Sequence, residues 1–134
     1  MRSCPGRCDA VLVQTTLRCL IVDDNPRFGE EARSLLEQEG LSVVGVAASG
    51  DEAVRIAKEL TPDLALVDIS LGEESGFDVA HRLRNGGKPD QPEVIFVSTY
   101  DEREFSGRIG RSSALGFISK TELSAASIRS LLGE

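Results

Sequence analysis

The 134-residue sequence is poor in basic and aromatic residues, and it has no long apolar run. Its 15 lysines and arginines stand against 22 acids, which leaves a formal net charge of -7. Nucleic acid and anionic membrane surfaces both attract basic faces, so this charge argues against broad contact with either. No stretch approaches the roughly 18 apolar residues that a membrane-spanning helix needs. We therefore expect a cytoplasmic protein that binds neither a membrane nor nucleic acid directly.

Cysteine is also scarce, with single residues at Cys4, Cys8 and Cys19. An odd count with one member inside an apolar run does not indicate a disulfide framework. No second Cys or His pair accompanies Cys4 and Cys8 to complete a metal site, so we interpret residues 1–15 as a disordered N-terminal tail. Residues 16–134 have the length of one domain, which buries a single core without disulfides or structural metals.

Five short apolar runs alternate with amphipathic segments along the chain. The runs are LRCLIV (17–22), LSVVGVA (41–47), DLALVDI (63–69), EVIFVS (93–98) and LGFIS (115–119). Continuous apolar runs of this length are typical of strands buried on both faces of a parallel sheet. The amphipathic segments, such as the first with Phe28, Ala32 and Leu36 at helical spacing, predict helices over about 26–39, 50–60, 76–84, 101–112 and 122–132. This alternation indicates a three-layer α/β sandwich.

Polar residues follow these runs where the predicted strands end. Asp23 and Asp24 follow the first run, Asp68 ends the third, Ser98 ends the fourth and Lys120 follows the fifth. In open parallel sheets these ends share one edge, where ligands bind. Three carboxylates in one small pocket repel each other unless a cation pairs with them, and Mg²⁺ prefers oxygen ligands. The sequence therefore predicts a magnesium site.

A metal ion in this pocket would neutralise an incoming phosphoryl group and orient it for in-line attack. Asp68 is then the candidate nucleophile, which forms an aspartyl phosphate. The compact charge of Lys120 suits one phosphoryl oxygen, and the Ser98 hydroxyl suits another. Each residue alone also fits a plainer role, with Asp24 or Ser98 as a helix cap and Lys120 as a surface lysine. Their combination in this order favours the phosphoryl chemistry.

Four separated motifs resemble the receiver domain of bacterial two-component response regulators. They are LIVDDN (20–25), LALVDISLGEESGFDVA (64–80), VIFVSTYDE (94–102) and ALGFISKTEL (114–123). The resemblance covers about residues 17–132 and implies a flavodoxin-like fold, with a five-stranded parallel sheet in the order 2-1-3-4-5 and five helices. The Thr-Glu-Leu sequence after Lys120 resembles receivers that precede a helix-turn-helix output domain.

The resemblance gives Asp68 the role of phosphoacceptor for a histidine kinase. It implies that Asp23, Asp24 and Asp68 bind Mg²⁺ together with the backbone carbonyl of Ser70. The Ser70 side chain also occupies a position that tunes the lifetime of the phosphate in this family. The chain is then not an enzyme in the usual sense, because it catalyses only its own phosphotransfer and a slow autodephosphorylation.

The resemblance also implies a switch around the phosphoryl group. Ser98 and Lys120 would contact this group, and Phe117 would move inward when the Ser98 hydroxyl turns toward the phosphate. A static core residue is the plainer interpretation of Phe117, because an aromatic beside a buried strand needs no switch. Thr99 and Tyr100 are further positions that tune the phosphate lifetime, and Thr99 is larger than the residue that is usual there.

The family's interaction surface corresponds to residues 101–132 of this chain. We expect phosphorylation to change this face, to regulate a downstream protein or a missing output domain, and to favour a homodimer. The alternative is a degenerate receiver that acts as a phosphorylation-independent protein-binding module, which failure to bind Mg²⁺ would favour. A metal-dependent phosphatase would have a second acid at Ser70, and a flavodoxin-like electron carrier would have a hydroxyl-rich loop at Asp23 and Asp24.

Overall fold

The five apolar runs of the sequence form the strands of one sheet. The computed structural model of the protein describes residues 17–71, 74–84, 92–98 and 114–133. Within these ranges the chain forms seven strands, four α-helices and one 3-10 helix. In chain order they are β1 (Arg18–Val22), α1 (Pro26–Gln38), β2 (Ser42–Ala47), α2 (Gly50–Leu60), β3 (Leu64–Asp68), β4 (Ser70–Leu71), β5 (Glu74–Ser75), α3 (Gly76–Arg84), β6 (Glu93–Ser98), β7 (Gly116–Ser119), the 3-10 helix (Lys120–Glu122) and α4 (Ala125–Leu131).

The sheet has the strand order β2-β1-β3-β6-β7, and every pair of neighbouring strands is parallel. Counted over the five predicted strands this is the order 2-1-3-4-5, so the predicted fold class is confirmed. The two short strands β4 and β5, which were not predicted, pair with each other in a separate antiparallel ribbon. This ribbon connects β3 to α3 beside the carboxyl end of β3.

Each face of the sheet carries its own apolar core. Leu66 of β3 packs with Leu36 of α1 and Ile128 of α4 in one cluster, called here the α1/α4 core. Its neighbour Val67 packs with Val79 of α3 in a second cluster, called here the α2/α3 core, to which α2 also contributes. Successive strand residues point to opposite faces, so burial on both faces requires a continuous apolar run. Helices on both faces complete the three-layer sandwich.

The observed helices agree with most of the predicted ranges. α1, α2 and α3 match their predicted ranges to within one residue. The last helix begins at Ala125, later than the start of the predicted range 122–132, because Ser124 caps it and the 3-10 helix precedes it. The predicted helix over 101–112 and the predicted tail over 1–15 lie outside the described residues. None of the helices in the described ranges is long and apolar enough to cross a membrane.

Candidate functional site

The carboxyl ends of two neighbouring strands bring three carboxylates together. Val22 of β1 pairs with Val67 of β3, so Asp23, which follows β1, lies beside Asp68, which ends β3. Asp23 and Asp68 are buried and Asp24 is exposed, and one carboxylate oxygen of each lies within 4.8 Å of the other two. The acid cluster that the sequence predicts is therefore present in the folded chain.

Hydrogen bonds to the backbone orient Asp23. Its amide donates to the Ala47 carbonyl oxygen at 2.9 Å, and its Oδ1 accepts from the Asn25 amide at 2.8 Å. Its Oδ2 is buried and accepts no directed hydrogen bond from the described residues, although the Nζ of Lys120 lies 2.6 Å away. A buried carboxylate oxygen is a good ligand for a cation, because burial removes its hydration, and the Lys120 ammonium already supplies one positive charge beside it.

Lys120 follows β7 and directs its ammonium into the acid cluster. Its Nζ lies 2.6 Å from Asp23 Oδ2 and 3.2 Å from Asp68 Oδ2, and only 12% of the side chain is exposed. Burial by itself would lower the pKa of Lys120, but the carboxylates of Asp23 and Asp68 outweigh burial and raise this pKa above its usual value. The ammonium therefore stays charged and joins the ends of β1, β3 and β7.

The donor set of this cluster fits a hard divalent cation. Three carboxylates and one ammonium leave two formal negative charges when every acid is ionised. Mg²⁺ takes oxygen ligands, commonly one or two carboxylates with waters, and the buried Oδ2 of Asp23 offers such an oxygen. The predicted ligands Asp23, Asp24 and Asp68 thus lie together. Ser70 lies in β4, two residues after Asp68, and a metal contact of its carbonyl stays a prediction.

Ser98 ends β6 at the same edge of the sheet and is buried, with 1% of its surface exposed. The strand register places it near the acid cluster. Asp68 pairs with Val97 on one side, and Ser98 itself pairs with Ser119, the residue before Lys120, on the other. The four strand ends that the sequence singled out therefore meet at one edge.

Phe117 lies in β7, where it pairs with Phe96 of β6 and is half-buried against the α2/α3 core. This position fits both a static core residue and a residue that moves on phosphorylation, so the switch role stays a prediction. Thr99 and Tyr100, the proposed lifetime-tuning positions, lie outside the described residues.

Gly76, whose role the sequence did not predict, allows the start of α3 to approach Asp68 closely. The Gly76 amide donates to the Ile69 carbonyl oxygen at 2.7 Å. A Cβ atom at this position would collide with the carbonyl of Asp68 and the Cα of Ile69, so no other residue fits without a backbone shift. The sequence signal was a single glycine between a polar loop and an apolar helix, which indicates an ordinary turn equally well.

Phe28 is a second residue whose contact with the site was not predicted. Its ring centroid lies 4.3 Å from the Nζ of Lys120. The sequence predicted only that Phe28 belongs to the apolar face of α1, because periodicity does not show what a side chain meets across the fold. Phe28 and Lys120 also line a groove of about 340 Å³ that includes Thr121 of the 3-10 helix.

Open parallel sheets bind ligands at the carboxyl ends of their strands. Here that edge carries acids and a lysine in place of a glycine-rich phosphate loop, which separates this fold from nucleotide-binding folds of similar layout. The strand order 2-1-3-4-5 with this edge chemistry defines a CheY-like receiver domain.

Residues 19–131 match the protein-family model for the response regulator receiver domain, and the chain therefore belongs to that family. It is 35% identical over 106 residues to the response regulator GacA of Pseudomonas viridiflava, a match that covers 78% of this chain and 48% of GacA. The chain spans about half the length of the curated relatives it matches.

Solved receiver structures show the same fold. The signal receiver domain of a modulated diguanylate cyclase from Desulfovibrio desulfuricans G20 is 34% identical, with a TM-score of 0.73 over 88% of this chain and 91% of that chain. A LuxR-family two-component response regulator from Aurantimonas sp. SI85-9A1 is 28% identical, with a TM-score of 0.76 over 90% of this chain and 88% of that chain.

Proposed function

We propose that this chain is a phosphorylation-dependent signalling switch whose phosphoacceptor is Asp68. The observation that carries the proposal is the contact between Asp68 Oδ2 and Lys120 Nζ at 3.2 Å, beside two further carboxylates. Phosphoryl transfer needs little beyond positioning and charge stabilisation, and this cluster offers a nucleophile, an ammonium and ligands for a cation. Membership of the receiver family supports the same role.

The transfer is an in-line attack by a carboxylate oxygen of Asp68 on the phosphorus of a phosphohistidine in a histidine kinase. A bond forms between this oxygen and phosphorus, the phosphorus–nitrogen bond breaks, and the leaving imidazole keeps the electron pair and takes up a proton. Asp23, Asp24, Asp68 and the Ser70 carbonyl would hold Mg²⁺, which would supply positive charge that offsets the charge of the phosphoryl group. The chain thus catalyses its own phosphorylation.

Lys120 and Ser98 then hold the transferred group. The Lys120 ammonium contacts one phosphoryl oxygen, and the Ser98 hydroxyl turns to donate a hydrogen bond to another. Phe117 moves inward as Ser98 turns, which changes the face formed by residues 101–132. A phosphoryl group shifts such a two-state element only by its differential affinity for the two states, and typical couplings are about 1–3 kcal/mol.

The switch resets through a slow autodephosphorylation. Hydrolysis of the aspartyl phosphate returns Asp68 to its carboxylate form and releases inorganic phosphate. Ser70, Thr99 and Tyr100 set the rate of this step, because these positions tune the lifetime of the phosphate in the receiver family. The proposal predicts a finite lifetime for the phosphorylated chain without a separate phosphatase.

The 101–132 face regulates a downstream protein or an output domain. Relatives such as GacA are named response regulators and are about twice as long as the matched region, which supports an output domain as the target. Phosphorylation favours a homodimer through the same face. The protein acts in the cytoplasm and binds neither nucleic acid nor a membrane through this chain, in keeping with its formal net charge of -7.

Intact mass after incubation with Mg²⁺ and acetyl phosphate tests the phosphoacceptor. We expect one added phosphoryl group on the wild-type chain, and none on Asp68→Asn or when EDTA removes the metal. Asp78→Asn is the matched control, because Asp78 is an exposed acid on α3 that does not belong to the acid cluster. This control should form the adduct at the wild-type rate.

The beryllofluoride complex, a stable mimic of the phosphorylated state, resolves a negative result. An adduct on Asp68→Asn would place the phosphoacceptor elsewhere. No adduct on the wild-type chain, but Mg²⁺-dependent binding of beryllofluoride, would mean that hydrolysis outpaces detection. Failure of both would overturn the proposal and leave a phosphorylation-independent protein-binding module.

A further inference from the structure

Phe28 brings an aromatic face to the ammonium of Lys120. The ring centroid lies 4.3 Å from Nζ, inside the distance of about 6 Å at which a ring face attracts a cation. Phe28 is the third residue of α1, and the start of this helix is fixed by the Asn25 cap and by Pro26. The Asn25 amide also donates to Asp23, so the same turn positions the ring and a carboxylate of the acid cluster.

Two carboxylates and one ring contact the Lys120 ammonium among the described residues. The carboxylates belong to Asp23 and Asp68, and the ring belongs to Phe28. A ring face carries no net charge, so it attracts the ammonium without neutralising it. The attraction is stronger where water is excluded, and 12% of the Lys120 side chain is exposed.

We propose that Phe28 is a positioning residue that holds the Lys120 ammonium in place during phosphoryl transfer. This inference rests on the proposed function of Asp68. Phosphoryl transfer removes the carboxylate charge of Asp68. A metal ion bound to Asp23 would also partly neutralise the carboxylate of Asp23. Both ionic partners of Lys120 therefore change during the reaction. The attraction of the ring depends on neither charge, so it retains the ammonium over the ring face while Lys120 turns toward a phosphoryl oxygen.

Simple packing is the competing explanation for Phe28. The residue is half-buried and packs against the α1/α4 core, so any large apolar side chain would satisfy that role. The two explanations separate because leucine keeps most of the packing and loses the ring face, whereas tyrosine keeps a similar ring face. A positioning role thus requires that Phe28→Tyr preserves the phosphorylation rate and that Phe28→Leu does not.

The first test compares initial phosphorylation rates with acetyl phosphate at saturating Mg²⁺ for the wild-type chain, Phe28→Tyr and Phe28→Leu. Phe28→Leu loses the cation–π attraction, and for an attraction of ordinary strength we expect its phosphorylation rate to fall about three- to tenfold. Phe28→Tyr should stay within about twofold of the wild type. Urea unfolding of each variant shows whether its stability, and not its chemistry, has changed.

A second test keeps the shape of the ring. Fluorinated phenylalanines at position 28, with one, two and three fluorine atoms, weaken the ring face stepwise at nearly constant size. We expect the logarithm of the rate to fall steadily along this series. This arm decides the question even if Phe28→Leu fails to fold.

The outcomes separate this inference from the proposed function. If the wild-type chain neither becomes phosphorylated nor binds beryllofluoride, the proposed function itself is overturned. A wild-type chain that phosphorylates, with a rate unchanged along the fluorinated series, shows that Phe28 only packs and overturns the positioning role.

Discussion

Lys120, which is partly buried, and Cys19, which is fully buried, are titratable side chains at opposite ends of the sheet. Their surroundings favour the charged form of Lys120 and the neutral form of Cys19. At the carboxyl end, the carboxylates of Asp23 and Asp68 raise the pKa of Lys120 although burial alone would lower it. Near the amino end, burial raises the pKa of the Cys19 thiol to about 12, the charge of Asp63 adds to this rise, and Arg129 opposes it. The lysine is therefore charged and the thiol neutral at neutral pH.

The two ends also differ in how their acids are paired. At the amino end, Asp63 Oδ2 accepts from the Arg18 amide at 3.0 Å, and Arg18 Nη1 donates to the Thr61 carbonyl oxygen at 3.0 Å, both in exposed positions. These contacts connect Thr61 and Asp63 to the first residue of β1, and they bury no excess charge. At the carboxyl end, three acids lie together, and the partly buried ammonium of Lys120 contacts two of them. A cluster with excess negative charge and two buried carboxylates is costly for folding alone, and this cost is the physical argument for the cation and the phosphoryl group that we propose to bind there.

Removing the charge of Lys120 should have the largest effect. In Lys120→Met, we expect phosphorylation by acetyl phosphate to slow at least about 100-fold, because an ammonium that stabilises the transferring group is lost. Without metal, the free energy of unfolding should fall by about 3 kcal/mol, because Asp23 and Asp68 lose their cationic partner. A mass time course and urea unfolding measure the two effects.

Lys58→Met is the matched control for this variant, since Lys58 lies on α2, away from the acid cluster. It should leave both the rate and the stability near their wild-type values. A Lys120→Met protein that phosphorylates at the wild-type rate would contradict the role of the Lys120 ammonium. The difference in charge between Lys120 and Cys19 would then have no consequence for phosphorylation.

Cys19→Ala should change the pH dependence of stability without changing phosphorylation. The unfolded thiol titrates near its ordinary pKa of 9.0, whereas the pKa of the folded thiol is about 12. The stability that the neutral thiol contributes is fully present below pH 9 and is lost as the pH rises toward 12, because the unfolded state ionises first. Between about pH 9 and about pH 10.5 the wild-type chain should lose about 1.5 kcal/mol more than the variant.

Urea unfolding at a series of pH values measures this difference. Cys4 and Cys8 are present in both proteins, so their titration cancels in the comparison. Parallel stability curves would show that the Cys19 thiol titrates alike in the folded and unfolded states.

The sequence predicts the positions of these groups better than their contacts. Continuous apolar runs fix the strands, and polar residues that follow them must meet where parallel strands end, so Asp23, Asp68 and Lys120 were predictable. The ribbon of β4 and β5 was not, because two-residue strands are too short for any periodicity. The ring of Phe28 over Lys120 was not either, since its spacing indicates only an apolar helix face.

The smallest effects compare the acids of the two ends directly. Asp24→Asn removes one of three like charges, so the metal-free protein should gain about 0.5 kcal/mol of stability. Asp63→Ala removes the acceptor of the Arg18 amide, so its free energy of unfolding should fall by about 1 kcal/mol. Added Mg²⁺ should stabilise the wild-type chain by mass action and stabilise Asp24→Asn less. Urea unfolding in EDTA and in Mg²⁺ measures these changes. A loss of stability in Asp24→Asn as well as in Asp63→Ala, measured in EDTA, would show that repulsion between like charges does not dominate the acid cluster. The acids at the two ends of the sheet would then differ only in how deeply they are buried.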